Sequence, residues 1–260
     1  PWGSGIRVFR GGSVIKFKAF DRRDVRYDPA TGQGKENSSC HITTSRFRKS
    51  TTRGRASQGA PALMANWVKG RVIRLRQWTD ELYSIQVEAQ VAAFTAGQFT
   101  RLALEIDGEI VARPYSFVNG PDNPVHEFYF ITVSDGPLTH ELIKLKPGDA
   151  LHLAPKGAGF FILDEVPEAD CLWMLSTGTA LGPFLSILTT DAAWQRYRKI
   201  VLVHAVRTVS ELAYSEEIKA LLERYPERLQ FIPFVSREDT DFAIKARFPA
   251  AIEDGQLDQR

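Results

Sequence analysis

The sequence predicts two folded domains of different class, an antiparallel β-barrel over residues 64–165 and a parallel α/β domain over residues 166–260. Three observations support this division. Short runs that alternate apolar and polar residues fill the stretch from Met64 to Gly159, continuous apolar runs alternate with helical patterns after Val166, and the first 63 residues show neither pattern. A chain of 260 residues, 43% of them hydrophobic, is long enough to bury two cores.

Residues 1–63 are predicted to be a disordered basic extension. They hold 13 Lys and Arg but only 4 Asp and Glu, whereas the whole chain holds 33 and 31. Their runs of glycine, serine and arginine contain too few apolar residues to offset the entropy of an ordered chain. A basic tail can also bind nucleic acid, but we expect no nucleic-acid partner and place the start of the organised sequence at Met64.

Six short strands and one helix are predicted for the barrel domain. The strands are expected at 67–78, 82–89, 100–106, 109–118, 127–133 and 149–157. This spacing is typical of an antiparallel barrel. The pair Asp107-Gly108 is a tight-turn signal that predicts a hairpin, and a helix is expected over residues 137–145.

The second domain is predicted to alternate strands with helices, as a parallel sheet with crossover helices does. Strands are expected at 171–175, 199–206 and 229–236, and helices at 182–188, 210–224 and around 249–253. Because a doubly wound sheet commonly has about five or more strands, three strands predict a domain that is truncated at its C-terminus.

The composition excludes several classes of protein. Cys40 and Cys171 are the two cysteines of the chain, too few for a disulfide framework or a CxxC metal site, and we expect no metal. No apolar stretch approaches the ~18–20 residues that span a bilayer, and the start of the chain shows no secretory signal. A cytoplasmic protein without a membrane partner is therefore expected.

A group of polar side chains lies on a predicted barrel strand. The planar guanidinium of Arg113 can donate to two oxygens of a diphosphate at once. Tyr115 is on the same face of the strand, where its ring can pack on a flat cofactor such as a flavin, and Ser116 can reach the polar edge of that ring. A half-buried strand with a surface arginine fits these residues equally well.

A turn with two glycines follows the first strand of the α/β domain. Residues 176–183 read Ser-Thr-Gly-Thr-Ala-Leu-Gly-Pro and lead into a predicted helix. Backbone N–H groups at this position bind phosphate in α/β folds. Gly178 and Gly182 permit close approach of a ligand, and Thr177 and Thr179 add hydroxyl groups. The turn is neither a GxGxxG motif nor a P-loop, so an ordinary glycine-rich turn remains an alternative.

Arginines follow the two other strands of this domain. Arg207 ends the second strand and Ser236-Arg237 ends the third, with Arg247 nearby in sequence. Ligands of α/β sheets bind outside the carboxyl ends of the strands, where these guanidinium groups suit a 2′-phosphate. No acidic residue that would hold a free ribose hydroxyl comes first after the strand, which favours NADP over NAD. Solvated surface arginines are the alternative.

In combination and in this order, the motifs resemble those of the bacterial ferredoxin/flavodoxin–NADP reductases. The resemblance covers residues 64–260 and rests on Met-Ala-Asn-Trp-Val (64–68), Thr-Ala-Gly-Gln-Phe (95–99), Arg-Pro-Tyr-Ser (113–116), Asp-Gly-Pro-Leu-Thr (135–139), Gly-Phe-Phe (159–161), the turn at 176–183, His-Ala-Val-Arg (204–207) and Val-Ser-Arg (235–237). The family continues with a Cys-Gly-Asn-Pro-like segment and a C-terminal aromatic residue, which lie beyond the end of this chain. It has no counterpart of residues 1–63.

The resemblance implies a Greek-key barrel that holds FAD and an α/β domain that holds NADP. It implies FAD contacts from Arg113, Pro114, Tyr115, Ser116, Tyr129, Phe130, Ile131, Thr132, Pro137, Leu138, Thr139 and Thr179. It implies NADP contacts from Val206, Arg207, Ser236, Arg237 and Arg247. Ser116 would lie next to the flavin, and no residue is expected to act as a general acid or base.

The implied function is that of a monomeric oxidoreductase that transfers electrons between NADPH and a ferredoxin or flavodoxin. Two alternatives stay open. The chain could be a truncated FAD-binding fragment without turnover, or the reductase component of an oxygenase or a free-flavin reductase. The lack of a cysteine cluster argues against an iron–sulfur domain of the kind that many oxygenase reductases carry.

Overall fold

The described part of the chain begins with a short antiparallel hairpin. The computed structural model describes the side chains of residues 67–247, 250–251 and 254, and only the backbone of this hairpin. Its strands are β1 (Ile6–Val8) and β2 (Val14–Phe20), paired antiparallel with Arg7 opposite Ile15.

Six strands form the sheet of the first domain. They are β3 (Val68–Gln77), β4 (Leu82–Glu88), β5 (Phe99–Ile106), β6 (Glu109–Ser116), β7 (Val125–Ile131) and β8 (Ala150–Leu153). All are antiparallel, in the order β6-β5-β8-β3-β4-β7. The outer strands β6 and β7 approach each other beyond Ser116, where Phe117 bridges to Phe128 and the Val118 N–H donates to Glu127 O at 2.9 Å. The predicted antiparallel barrel is confirmed in the form of this strongly curved sheet.

Local turn chemistry explains the boundaries of two elements in this domain. Asp107 and Gly108 join β5 to β6 with φ values of 53° and 79°, both positive, as a two-residue hairpin turn of this kind requires. Helix α1 (Pro137–Leu142) is shorter than the predicted 137–145, because the chain leaves the helix through short-range bonds such as Lys144 N–H to Glu141 O.

The second domain alternates strands and helices, as predicted. Its elements are β9 (Cys171–Thr177), α2 (Leu181–Leu188), α3 (Asp191–Arg196), β10 (Lys199–Val206), α4 (Ser215–Arg224) and β11 (Leu229–Val235). Strand β10 pairs in parallel with β9 on one side and with β11 on the other. Helix α3 was not predicted, since six residues are too few to show a helical period; it is held by Trp194 Nε1, which donates to Leu188 O at 2.9 Å.

The predicted helix over 210–224 is wrong at its start. Val209–Glu211 forms one 3-10 turn, and α4 begins only at Ser215. Between them Tyr214 adopts a left-handed conformation with φ of 61°, which no α-helix can contain. This break turns the Tyr214 side chain toward the barrel, where it packs against Trp78 and Tyr129.

Strands β1 and β2 lie within residues 1–63, the segment that the sequence predicts to be a disordered extension. Strand β2 pairs antiparallel with β9 from Ile15–Ser176 to Phe20–Cys171, so the second sheet has the order β1-β2-β9-β10-β11. Apolar and lysine residues alternate in the sequence of β2, as in a half-buried strand, and the edge of β9 offers it free backbone groups.

The two domains share one continuous core. Residues of the barrel, including Leu82, Val118 and Tyr129, pack in the same cluster as Leu181 and Phe184 of α2. The Ser186 hydroxyl of α2 also donates to Asn119 O of the barrel at 2.7 Å. A second cluster fills the barrel between Phe117, Phe128 and α1. None of the described helices is both long and apolar enough to cross a membrane.

Candidate functional site at the boundary of the two domains

The first predicted group, Arg113–Ser116, lies at the end of strand β6. There β6 approaches β7 and the curved sheet nearly closes, a place we call the barrel seam. Arg113 is exposed, and its only hydrogen bond within the described residues joins Nη1 to the neighbouring Ala112 carbonyl at 2.8 Å. Pro114 is exposed on an end strand of the sheet, where a missing N–H is tolerated. The Ser116 hydroxyl makes no hydrogen bond to the described residues. The guanidinium and this hydroxyl can therefore bind a ligand without breaking an internal contact.

Tyr115 links this group to strand β7. Its ring lies 5.9 Å from that of Phe130, edge to face, at the rim of the barrel core. Burial raises the pKa of Tyr115 to about 12 against the opposing effect of Arg113, so the phenol stays neutral. The structure thus brings together two groups that are separate in sequence, Arg113–Ser116 and Tyr129–Thr132.

Within the second group, alternate side chains point in opposite directions. Phe130 packs in the barrel core, whereas Tyr129 and Ile131 pack in the core shared by the two domains. The Tyr129 hydroxyl is buried without a hydrogen bond from the described residues, and burial raises its pKa. Thr132 is tied to the β3–β4 turn, since its N–H donates to Glu81 O at 2.8 Å. A ligand on this strand would meet mainly its backbone.

Helix α1 lies against strands β5 and β6. Pro137 is exposed, but Leu138 and Thr139 are buried. The Thr139 hydroxyl donates to Gly136 O at 3.0 Å and accepts from the Val133 N–H at 3.3 Å. Both residues could therefore contact a ligand through their backbone, not through their side chains.

The turn after β9 lies against the barrel. Gly178–Ala180 forms a 3-10 turn that contacts β7, with Gly178 at φ of 51°. The next glycine, Gly182, lies so close to the barrel that a Cβ atom there would be 3.3 Å from Val118. The Thr179 hydroxyl is partly exposed and makes no hydrogen bond to the described residues. Thr179 therefore belongs to a turn that contacts strand β7, which carries one of the two predicted FAD groups.

His204 of strand β10 forms a hydrogen bond with this turn. The ring lies in the centre of β10, fully buried, with Nε2 at 3.2 Å from Gly178 O. The carbonyl can only accept, so Nε2 carries the proton, and Nδ1 is left without a donor from the described residues. Burial lowers the pKa of His204 to about 4, which keeps the ring neutral. This histidine holds the turn in place and is not exposed to a ligand.

The third predicted group gathers at the carboxyl ends of β10 and β11. The Ser236 N–H donates to Val206 O at 3.1 Å, and the Arg237 N–H donates to Arg207 O at 2.9 Å, so the two strand ends are adjacent. The Val206 side chain is buried, whereas Arg237 is exposed and makes no ion pair with the described residues. Arg247 is also exposed; it follows Ile244, which pairs in parallel with Phe234 of β11.

Two carboxylates that the sequence analysis did not identify hold Arg207. Glu211 accepts from Arg207 Nε at 2.9 Å and from its backbone N–H at 2.9 Å, and Glu81 of the barrel lies 3.4 Å from Nη2. These carboxylates, Glu211 before Glu81, raise the pKa of Arg207 further. Nothing in the sequence pointed to either carboxylate, because a four-residue spacing indicates an ion pair only within a helix and Arg207 directly follows strand β10.

Comparison with known proteins connects this arrangement to a family. The model of the oxidoreductase NAD-binding domain matches residues 174–254. The flavodoxin/ferredoxin–NADP reductase of Escherichia coli (strain K12) is 51% identical over 195 residues, which cover 75% of this chain and 79% of the relative. The ferredoxin–NADP reductase of Pseudomonas aeruginosa is 39% identical over 184 residues, 67% of this chain and 71% of the relative.

A solved structure is similar to this chain in fold. It is a ferredoxin NADP+ reductase from Neisseria gonorrhoeae with bound FAD and NADP. It matches with a TM-score of 0.67 and 25% identity over 75% of this chain and 79% of that one. With a relative at 51% identity, most of whose length is covered, the chain belongs to the flavodoxin/ferredoxin–NADP reductase family.

Proposed function

We propose that the chain is an oxidoreductase that transfers electrons between NADPH and a small redox protein, a ferredoxin or a flavodoxin, by way of FAD. The family supports this activity, and the similar Neisseria structure holds both FAD and NADP. The observation that carries the proposal is that two predicted groups of ligand-binding residues, Arg113–Ser116 and the Gly178–Ala180 turn, both reach strand β7 of the barrel. Tyr115 and Phe130 are in contact at the barrel seam, and the Gly178–Ala180 turn lies against the same strand β7.

The barrel seam fits FAD by the chemistry of its donors. Arg113 is free to hold the diphosphate with two parallel N–H groups. The half-buried ring of Tyr115 provides a neutral aromatic surface for the flavin, and the Ser116 hydroxyl can bond to its polar edge. The remaining FAD contacts would come from the backbone of Tyr129, Phe130, Ile131 and Thr132, from that of Pro137, Leu138 and Thr139, and from the Thr179 hydroxyl.

The α/β domain fits NADP by its exposed cations. Arg207, Arg237 and Arg247 follow the carboxyl edge of the sheet and can bind the 2′-phosphate, with the Ser236 hydroxyl beside them. Val206 would contribute through its backbone, because its side chain is buried. The Gly178–Ala180 turn contacts both strand β10 and barrel strand β7, so a dinucleotide bound along this edge would approach the flavin site.

Bound FAD would supply the conversion between two-electron exchange with NADPH and one-electron exchange with the carrier protein. The part of this chain is to bind both cofactors and to hold them at the boundary. Ser116 would lie next to the flavin, and none of the described groups is proposed as a general acid or base.

We further propose that the enzyme acts as a monomer in the cytoplasm. Two cysteines cannot form the disulfide framework of a small secreted protein, which agrees with a reducing compartment.

The experiment that tests the proposal is the visible spectrum of the purified chain after incubation with FAD, followed by anaerobic addition of NADPH. A flavin band that bleaches with NADPH, and more slowly with NADH, is the expected result. A band that NADPH leaves unchanged would mean that the chain binds FAD without turnover. A folded protein that takes up no FAD would overturn the assignment.

A further inference from the structure

Arg207 has one pair of parallel N–H groups left to bind a phosphate, and Glu81 of the barrel already contacts one member of this pair. A guanidinium binds phosphate through two parallel N–H groups. Glu211 already takes Nε at 2.9 Å, so the remaining face consists of Nη1 and Nη2. Nη1 makes no contact with the described residues, whereas Nη2 faces Glu81 Oε2 at 3.4 Å.

The carboxylates of Glu211 and Glu81 differ in how firmly they hold Arg207. The Glu211 side chain is only 14% exposed and makes two bonds to the same residue, so it fixes the position of Arg207. The Glu81 side chain is 59% exposed and makes one long contact. An ion pair as exposed as this one contributes little to stability, and a dianionic phosphate can displace it.

The backbone holds Glu81 in place nevertheless. Its N–H donates to the Thr79 hydroxyl at 3.3 Å, and its carbonyl accepts from the Thr132 N–H at 2.8 Å. The turn between β3 and β4 therefore keeps the carboxylate near Arg207. A phosphate bound to Nη1 and Nη2 would lie beside this negative charge.

We propose that Glu81 competes with the 2′-phosphate of the coenzyme for Arg207, and thereby weakens NADP binding and speeds its release. This inference rests on the proposed function, since it takes Arg207 as a phosphate ligand. Glu81 belongs to the barrel and Arg207 to the α/β domain, so binding of the phosphate replaces a contact between the domains. The Glu81 carboxylate occupies Nη2 of Arg207 in the free protein and thereby lowers the affinity of Arg207 for the ligand.

The test compares 2′-phospho-AMP with 5′-AMP on the full chain, by calorimetry at low salt. Glu81→Gln removes the charge but keeps the size of the side chain. We expect it to bind 2′-phospho-AMP about two- to fivefold more tightly than the wild type does, through a slower off-rate, with no change for 5′-AMP. The gain should disappear at high salt, which screens exposed charges.

Glu217→Gln is the matched control. Glu217 of α4 pairs with Arg76 of the barrel at 3.7 Å, so it is a second exposed carboxylate in an ion pair across the same boundary. It should leave both affinities unchanged. A Glu81→Gln variant that binds 2′-phospho-AMP no more tightly than the Glu217→Gln variant would overturn this inference.

The failure of the proposed function has a different signature. A wild-type chain that shows no preference for 2′-phospho-AMP over 5′-AMP would mean that the arginines do not form a 2′-phosphate site, and both proposals would fall. A wild type with that preference, abolished by Arg237→Ala but unaffected by Glu81→Gln, would retain the NADP site and overturn only the role of Glu81.

Discussion

The Tyr214 hydroxyl donates a hydrogen bond of 2.8 Å to Glu127 Oε1, which ties the loop before α4 to strand β7 of the barrel. Gln86 of β4 donates to the other carboxylate oxygen at 3.0 Å. The Tyr214 ring packs 4.7 Å from Trp78 and 5.1 Å from Tyr129. One residue in a left-handed conformation thus joins the two domains by both hydrogen bonding and aromatic packing.

Tyr214→Phe should lower the stability of the protein. The change keeps the ring packing but leaves Glu127 with one donor fewer in a part-buried site, so the free energy of unfolding should fall by about 1–2 kcal/mol. Urea denaturation followed by tryptophan fluorescence measures the loss. Tyr225→Phe is the matched control, because Tyr225 stacks on Trp194 and its hydroxyl makes no bond to the described residues. Equal stability of the two variants would contradict the role given to the Glu127 bond.

The break at Tyr214 illustrates what sequence reasoning could not find. The apolar spacing from 210 to 224 fits a helix, and only contacts with the barrel, distant in sequence, explain why the helix begins at Ser215. By contrast, the strands of the α/β domain were predicted nearly to the residue, since continuous apolar runs such as Lys199–Val206 reflect burial on both faces of a sheet.

The residues of the candidate site likewise divide into those that the sequence identified and those that only the structure revealed. Arg113 was identifiable as an arginine on a barrel strand beside Tyr115 and Ser116, and Arg237 as one that directly follows a parallel strand; the structure finds both arginines exposed. The roles of Glu81 and Glu127 depend on approaches across the domain boundary. No local pattern reports such approaches, so these residues required the structure.

Arg113→Ala should weaken the binding of FAD. The arginine is exposed and makes no ion pair with the described residues, so its loss removes a ligand contact at little expense of stability. A charge-assisted bidentate contact is worth about 1.5–3 kcal/mol, or about 10- to 100-fold in affinity. Arg113→Lys should recover only part of this, because an ammonium group cannot bind two oxygens in the same plane.

Quenching of flavin fluorescence by the added protein measures the dissociation constant for FAD. Arg74→Ala is the control, since Arg74 is another exposed arginine of the barrel whose side chain makes no ion pair with the described residues. Unchanged FAD affinity in Arg113→Ala would exclude Arg113 as a ligand of the diphosphate.

Removal of residues 1–63 should cause self-association. Strand β2 pairs with β9 from residue 15 to residue 20, and its loss leaves one edge of β9 with unpaired backbone groups. An exposed edge of this kind pairs with other chains. Light scattering after size-exclusion chromatography should show larger species whose amount rises with concentration.

A peptide of residues 6–20 provides the control for this truncation. Added in excess, it should restore the size of the full-length protein, whereas a scrambled peptide should not. A truncated chain that keeps the same size at all concentrations would show that β2 is dispensable as a cover for β9.

His204 should make the protein less stable in acid. Its pKa is lowered by burial from 6.5 to about 4, so the unfolded chain binds a proton that the folded chain refuses. The stability due to neutral His204 is complete above pH 6.5 and is lost as the pH falls toward 4, by about 3 kcal/mol in all. His204→Asn, which does not titrate, should be less stable at neutral pH but should lose less on acidification.

The difference between two variants isolates this effect from other titrating groups. Burial also lowers the pKa of His126, and carboxyl groups contribute to acid unfolding in every variant. His140→Asn is the control, because His140 is exposed and, among the described residues, its ring forms a hydrogen bond only with Ser134 O. Urea denaturation at several pH values between 6.5 and 4 should give a steep decline for the wild type and His140→Asn, and a shallower one for His204→Asn. Parallel declines in all three proteins would mean that His204 is protonated in the folded state, with its Nδ1 paired to an acceptor after all.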